Sequence, residues 1–102
     1  MLDLTKISLN FEAFDWDKGN KSKNWFKHKV RIEEAEQVFV NKPRLLAQDK
    51  KHSKLEKRYI CLGKSNKNRK LSVIFTFRNN KIRIISARNQ SKTEREIYVQ
   101  KT

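Results

Sequence analysis

Apolar residues follow a helical period in the N-terminal part of the chain. A helix over residues 32–40 would have one apolar face, which carries Ile32, Ala35, Val38 and Phe39. Asp17 is suited to cap an earlier helix over residues 18–28, because its carboxylate can accept a hydrogen bond from the first helical turn. The pattern therefore predicts two helices before residue 41.

Further along the chain, apolar and polar residues alternate as they do in strands. The alternation predicts strands over residues 13–16, 44–49, 56–63, 71–78 and 81–88. Asn79-Asn80 suits a tight hairpin turn, and Ser91 with Glu94 forms a capping box that begins a closing helix over residues 91–100. We therefore expect an α+β fold, an antiparallel β-meander with two N-terminal helices and a C-terminal helix.

The length of 102 residues is typical of a single domain, so we predict one domain over residues 1–102. Residues 1–13 are an N-terminal extension that either adds an edge strand or is frayed. The sequence contains no long apolar run and no export leader, so we expect a cytoplasmic protein without membrane contact. Cys61 is the single cysteine and only two histidines accompany it, so we expect no disulfide, no metal site and no cofactor.

The formal charge of +14 is unevenly distributed. Residues 1–40 carry seven basic and seven acidic side chains, so the whole excess lies in residues 41–102. A strongly basic surface favours a polyanionic partner such as RNA. Because a run of charges is also typical of an ordinary solvated face, particular residues have to identify the site.

Arginines interrupt the apolar pattern of the strand over residues 82–88. Strict alternation places Arg83 and Arg88 on opposite faces, each among apolar neighbours. An arginine in such a position extends to solvent, pairs with an internal carboxylate or binds an anion. Together with Arg58 on the neighbouring strand, the two arginines would form a phosphate site of guanidinium groups.

Two histidines and several residues near them are further candidates. His52 lies beside Lys51 in a cationic loop, where the alternative to proton transfer is a solvated side chain. His28 follows Lys27 at a helix end, where a cation also suits the helix dipole.

Two aromatic residues complete the candidate set. Trp16 would either stack on an unpaired base or fill the core, and Tyr98 on the last helix would either pack in the interior or offer its phenol to the chemistry. We take Lys27, Trp16, Lys51 and Tyr98 as candidate RNA-binding residues.

The chemistry that these residues allow is metal-free cleavage of RNA. The sequence has no Gly-rich phosphate loop and no acidic cluster spaced for two Mg²⁺ ions. Metal-free cleavage uses the 2′-OH as nucleophile, a base and an acid for proton transfer, and cations that stabilise the phosphorane. The candidate catalytic residues are Arg58, Arg83, Arg88, His28 and His52.

The ordered set of residues resembles the BrnT-type toxins over about residues 14–98. The strongest piece is the strand Ile82-Arg83-Ile84-Ile85-Ser86-Ala87-Arg88. The other pieces are Phe14-Asp15-Trp16-Asp17, Asn24, Lys27-His28, Val30, Ile32-Glu33-Glu34-Ala35, Val38-Phe39, His52-Ser53, Arg58-Tyr59-Ile60, Leu62-Gly63, Glu94-Arg95 and Tyr98. Two positions depart from the family pattern, since Lys29 stands in place of a glycine and Asn20 in place of a lysine.

The resemblance implies a toxin of a type II toxin–antitoxin pair with a RelE-like fold, an endoribonuclease that inhibits translation. It also implies a ribbon-helix-helix antitoxin of the BrnA type, with operator DNA bound only through the toxin–antitoxin complex. An alternative of another class is a non-catalytic module that binds RNA or the ribosome through the same basic surface. Cleavage of RNA in excess chelator distinguishes the two, because a binding module gives no products.

Overall fold

A computed structural model describes residues 3–4, 13–21, 28–52 and 55–102. Six strands lie within these residues: β1 (Asp3–Leu4), β2 (Ala13–Phe14), β3 (Leu45–Gln48), β4 (Tyr59–Lys64), β5 (Lys70–Arg78) and β6 (Lys81–Asn89). The helices are α1, which is described at residues 18–21, α2 (Ile32–Val40) and α3 (Lys92–Lys101); residue 28 is also helical, and a short 3₁₀ helix covers Lys50–His52. The fold class is α+β, as predicted.

The six described strands form one sheet in the order β1-β3-β4-β5-β6-β2. Each of β3, β4 and β5 pairs antiparallel with the next strand, and β1 adds antiparallel to β3 as an edge strand. β2 instead pairs parallel to β6, with Phe14 opposite Ile82. The sheet is therefore mixed and not wholly antiparallel, because β2 lies beside the last strand, β6, and runs in the same direction.

α2 packs on one side of the sheet, which we call the α2 face. Ala35, Val38 and Phe39 are buried there, as the helical period predicts. The ring of Phe39 meets that of Phe75 edge-on, with 4.9 Å between centroids. At Gly63 the helix approaches β4 so closely that a Cβ would lie 3.0 Å from the Cβ of Val38. A side chain at that position would require α2 to move by a few tenths of an ångström.

A β-bulge interrupts β6. Ile74 lies opposite Ser86, whereas the next residue, Phe75, lies opposite Ile84, so Ile85 is an extra residue in β6. An extra residue on one strand bends it and shifts the alternation of side chains by one position. Before the bulge, the even-numbered residues of β6 face one side of the sheet, whereas after it the odd-numbered residues face that side.

The bulge corrects the prediction for the two arginines of β6. Ile82, Ile84 and Ala87 are all fully buried on the α2 face. Arg83 and Arg88 consequently share the opposite face, which we call the arginine face. The prediction from strict alternation, which separated these two residues, was wrong because it did not include the extra residue.

Several local features agree with the sequence patterns. Asn79 and Asn80 adopt φ angles of 52° and 62°, which are the positive values that a tight hairpin requires. The Oγ of Ser91 accepts a hydrogen bond from the Glu94 N–H at 3.2 Å, and a Glu94 Oε1 accepts one from the Ser91 N–H at 2.9 Å. This capping box begins α3 as predicted.

Lys29 adopts a left-handed conformation directly after helical residue 28, with φ of 54°. A glycine reaches this region without steric cost, whereas a lysine is strained by about 1 kcal/mol. The Lys29 carbonyl accepts a hydrogen bond from Arg69 at 3.0 Å. The left-handed helix end is therefore formed here by a lysine in place of the glycine of the resembled family.

Candidate functional site

Two carboxylates hold Arg83 on the arginine face. Its Nη1 and Nη2 donate to the Oδ2 and Oδ1 atoms of Asp17 at 2.9 and 3.0 Å, and Nη1 lies 3.7 Å from an oxygen of Asp15. The side chain of Arg83 is only 13% exposed. Its Nε has no hydrogen-bond partner among the described residues, so this edge of the guanidinium retains donors for an anion.

Asp17 acts on both Arg83 and α1. Its Oδ1 accepts a hydrogen bond from the Gly19 N–H at 2.7 Å, so it caps the helix as predicted. The hydrogen bond from Arg83, assisted by that from Gly19, lowers the pKa of Asp17. The carboxylate therefore stays ionised and keeps Arg83 oriented.

Asn20 fixes the segment that carries these carboxylates. It is 4% exposed, and its Nδ2 donates to the carbonyl oxygens of Asp15 and Ile84, each at 3.0 Å. Its Oδ1 accepts a hydrogen bond from the Asp17 N–H at 2.8 Å. Asn20, a departure from the family pattern, therefore ties the start of α1 to β6 and aims Asp17.

Arg58 lies beside Arg83 across the sheet with Thr76 between them, and we call these three positions the row of Arg83. The register that pairs Tyr59 with Phe75 brings Arg58 opposite Thr76, and Thr76 lies opposite Arg83. One strand separates the two arginines, a backbone distance of about 10 Å. Two arginine side chains can reach a common phosphate across that distance.

The 3₁₀ helix with Lys51 and His52 lies at the same end of the sheet. The Asp49 N–H just before it donates to the Arg58 carbonyl at 2.8 Å. Lys51 is exposed, whereas the side chain of His52 lies outside the described part of the chain. The backbone therefore brings the turn that carries both residues next to Arg58.

Arg88 belongs to the other end of the arginine face. It lies opposite Ser72, four residues before Thr76, so about 13 Å of β5 separate its row from that of Arg83. Its Nη1 and Nη2 donate to the two carboxylate oxygens of Glu94 at 2.6 and 3.0 Å. Arg88 therefore joins α3 to the sheet, apart from the row of Arg83.

Glu94 is almost buried at the start of α3. Its burial alone would raise its pKa, but the hydrogen bonds from Arg88, the Ser91 N–H and Ser72 outweigh burial and hold the pKa below its usual value. The ionised carboxylate therefore serves as helix cap, ion-pair partner and acceptor for Ser72 at 3.3 Å.

Two predicted RNA-binding aromatics make internal contacts. The Nε1 of Trp16 donates to Glu36 at 2.8 Å, and its ring packs against the core. Tyr98 is 4% exposed and donates its hydroxyl to the Pro43 carbonyl at 2.6 Å, and burial raises its pKa. The geometry therefore matches the core-filling alternatives for both residues, and their contact with RNA stays a prediction.

The remaining candidates lie elsewhere or outside the described residues. His28 is helical and precedes Lys29, whose carbonyl accepts a hydrogen bond from Arg69, so His28 lies away from the row of Arg83. Lys27 falls outside the described residues. Burial raises the pKa of Cys61 to about 12, which leaves its thiol unreactive.

Sequence reasoning missed the polar residues that support the site. Asn20 and Glu94 are buried, and Gln90 donates from its buried amide to the Gly63 and Leu71 carbonyls at 3.3 and 3.1 Å. Glu94 had a local signal in its capping box. Asn20 and Gln90 had none, since the contact of Asn20 with Ile84 and those of Gln90 with Gly63 and Leu71 join segments that are far apart in the sequence.

Within the described residues, no three His, Cys, Asp or Glu side chains cluster so as to hold a metal ion. No described helix is long and apolar enough to cross a membrane.

Comparison with known proteins identifies the family. No curated protein sequence matches the chain. Residues 16–94 match a family described as the ribonuclease toxin BrnT of the type II toxin–antitoxin system. The matched segment runs from Trp16 to Glu94, spans most of the 102 residues and includes the site around Arg83. The chain therefore belongs to the BrnT family of ribonuclease toxins of type II toxin–antitoxin systems.

Proposed function

We propose that this chain is a metal-independent endoribonuclease whose cleavage site lies around Arg83, at the end of the arginine face next to the Asn79-Asn80 turn. The observation that carries the proposal is the orientation of Arg83 by both oxygens of Asp17, while its Nε makes no hydrogen bond to any described residue. A cation fixed before the reaction stabilises developing charge without reorganising. Arg58 in the same row supplies a second guanidinium for the phosphate.

The reaction follows from the chemistry of RNA. The 2′-oxygen loses its proton to a base and attacks the neighbouring phosphorus, and the bond from phosphorus to the 5′ oxygen breaks. The departing oxygen takes a proton from an acid, which leaves a 2′,3′-cyclic phosphate and a 5′-hydroxyl. Arg83 and Arg58 bind the non-bridging oxygens, and His52, whose turn adjoins Arg58, transfers protons.

The resemblance to BrnT-type toxins supports the wider parts of the proposal. Cleavage of RNA by this chain inhibits translation, and a ribbon-helix-helix antitoxin of the BrnA type neutralises it. The successive antiparallel pairing of β3 to β6 with helices on both faces supports a RelE-like arrangement. A cell-free translation reaction tests the effect, which should disappear when the messenger RNA is replaced after the toxin is removed.

The central test uses purified protein and RNA in excess chelator. We expect cleavage, products that end in a cyclic phosphate, and complete resistance of a matched oligonucleotide with 2′-deoxy sugars. RNA that stays intact at saturating protein would make the chain a binding module instead. Cleavage of the 2′-deoxy control would exclude attack by the 2′-OH.

A pair of histidine variants tests the proton transfer. We expect His52→Gln to reduce the cleavage rate about 100-fold, the usual size of acid–base catalysis, and to change its pH profile. His28→Gln is the matched variant at the other end of the sheet. A larger loss for His28→Gln would move the proton transfer away from the row of Arg83.

A further inference from the structure

A groove between α3 and the start of β5 collects three cations for which the described residues supply no ion-pair partner. Its volume is about 620 Å³, and it is lined by Lys70, Lys92, Arg95, Glu96, Val99 and Gln100, which we call the α3 groove. Lys70, Lys92 and Arg95 make no ion pair within the described residues. Only one carboxylate, that of Glu96, opposes these three cations among the groove residues.

The chain holds these cations at the surface. Arg95 is fixed by a hydrogen bond from its Nη1 to the Gln90 carbonyl at 2.8 Å. Lys92 and Arg95 lie three residues apart and therefore on one side of α3. On the strand side, Lys70 lies opposite Lys64 in the register of β4 and β5, which extends the basic surface beyond the groove.

The composition of the groove indicates which ligand it fits. Among the described residues that line it, none has an aromatic ring on which a base could stack, and the exposed Val99 is the one apolar side chain. Such a surface can follow a phosphate backbone but has little to read bases or to anchor an apolar side chain of a protein. An RNA backbone therefore fits this groove better than a peptide does.

The position of the groove relates it to the cleavage site. Lys70 and Thr76 lie six residues apart on the same face of β5, so about 20 Å separate the groove from the row of Arg83. At the 3.4 Å spacing of a stacked strand, about six nucleotides cover that distance. One RNA strand can therefore occupy both places.

We infer that the α3 groove is a second RNA-binding site, which holds the phosphate backbone of the substrate strand several nucleotides away from the cleaved bond. The inference rests on the proposed function, because it takes RNA as the substrate. It assigns affinity to the α3 groove and chemistry to the row of Arg83.

The test measures binding of a labelled 20-nucleotide 2′-O-methyl RNA, which cannot be cut, at several salt concentrations. The variant Lys70→Gln/Lys92→Gln removes two groove cations whose side chains make no hydrogen bond to a described residue. We expect the slope of log Kd against log salt to fall by about 1.4, the value for two phosphate contacts of a single strand. The cleavage reaction of the same variant should show a raised KM with kcat unchanged.

The matched control is Lys18→Gln/Lys21→Gln, which removes the same charge from exposed positions on α1. In each double variant, one of the two lysines is the first residue of a helix. We expect less than half the change in slope. Equal changes in the two variants would overturn the inference, because the RNA would then respond only to overall charge. Circular dichroism spectra show that both variants are folded before they are compared.

A second arm uses a labelled polyglutamate of 20 residues. If the groove variant leaves the RNA slope unchanged but weakens polyglutamate binding more than the control does, the groove fits an acidic protein and the RNA site is wrong. Failure of the proposed function looks different, because the wild-type protein would then bind the 2′-O-methyl RNA and leave ordinary RNA intact.

Discussion

The row of Arg83 and the α3 groove are both basic, but they differ in whether their cations are paired with carboxylates. At the row, Arg83 is paired with Asp17 and Asp15, and the nearby Arg78 is paired with Glu56 at 3.4 Å. In the α3 groove, Lys70, Lys92 and Arg95 make no ion pair within the described residues. The unpaired cations of the α3 groove therefore lie away from the row that we propose for catalysis.

This difference separates two uses of a cation. A guanidinium held by a carboxylate loses net charge but gains a fixed direction, which is what stabilisation of a transition state requires. An unpaired lysine keeps its charge and mobility, so it adds affinity that salt weakens. Net charge thus indicates where RNA is attracted, while paired arginines indicate where chemistry can occur.

The largest expected effect comes from a substitution of Arg83, which is held by carboxylates. Arg83→Lys keeps the positive charge but loses the planar fork, so it cannot hold both Asp17 oxygens and a phosphate at once. We expect the cleavage rate to fall about 100-fold. Binding of 2′-O-methyl RNA should change little.

Arg78→Lys is the matched control, because Arg78 lies on the same β5–β6 hairpin and also pairs with a carboxylate, that of Glu56. It should retain most of the cleavage rate. Equal losses for the two variants, or a loss of RNA affinity as large as the loss of rate, would contradict the separation of chemistry from affinity.

A second prediction concerns Glu94, which holds α3 and hence the groove on the sheet. Glu94→Ala removes the capping box and leaves Arg88 without its partner, so we expect the free energy of unfolding to fall by about 2 kcal/mol in urea titration. Glu96→Ala, on the exposed side of the same helix, should change it by less than about 0.5 kcal/mol. A similar loss of stability for both variants would show that Glu94 matters no more for the stability of the fold than Glu96 does.

The pH dependence of stability gives an independent measure of the same residue. The pKa of Glu94 lies below its ordinary value of 4.5 in the folded chain. Its contribution is therefore complete above pH 4.5 and is lost as the pH falls through the lower, folded pKa. The stability difference between wild type and Glu94→Gln should shrink between pH 5 and pH 2, and a constant difference would contradict the ion pair.

Local patterns allowed much of the fold to be predicted from the sequence. The helical period gave α2 at residues 32–40, paired asparagines gave the hairpin, and Ser91 with Glu94 gave the start of α3. Each of these signals acts over a few residues, so sequence spacing is sufficient. The parallel pairing of β2 with β6 was not predictable in this way, because it joins segments nearly seventy residues apart.

The site was only partly predictable for the same reason. Arginines in an apolar strand drew attention to β6, but the extra residue Ile85 decides that Arg83 and Arg88 share a face. Nothing in the local sequence marks that bulge. The partners Asp17 and Asn20 were also hidden, since their contacts to β6 depend on the packing of distant segments.

A third prediction tests whether the pairing itself matters for chemistry. Asp17→Asn retains a group that can accept a hydrogen bond and cap α1, but it removes the charge that orients Arg83. We expect kcat to fall about 10-fold with KM nearly unchanged, as for a displaced catalytic group. An unchanged kcat would show that Arg83 needs no carboxylate to act.

Asp15→Asn is the control for that variant, because its contact with Arg83 is longer, at 3.7 Å. It should have a smaller effect on kcat. If Asp15→Asn has the larger effect, the orienting carboxylate is Asp15.

The smallest effect is expected from a substitution of Lys29, a cation that belongs to neither region. Lys29 is exposed and adopts a left-handed conformation, so Lys29→Gly relieves strain of about 1 kcal/mol. The greater freedom of glycine in the unfolded chain offsets part of that gain. We expect the free energy of unfolding to rise by about 0.5 kcal/mol in urea titration.

Removal of this positive charge should leave both the cleavage rate and the salt slope of RNA binding at their wild-type values. Lys29→Ala is the matched variant, since it loses the same charge but keeps the strained Cβ. It should give no gain in stability. A fall in RNA affinity for both variants, equal to that for a groove lysine, would mean that RNA responds to total charge, and the contrast between the two regions would then be lost.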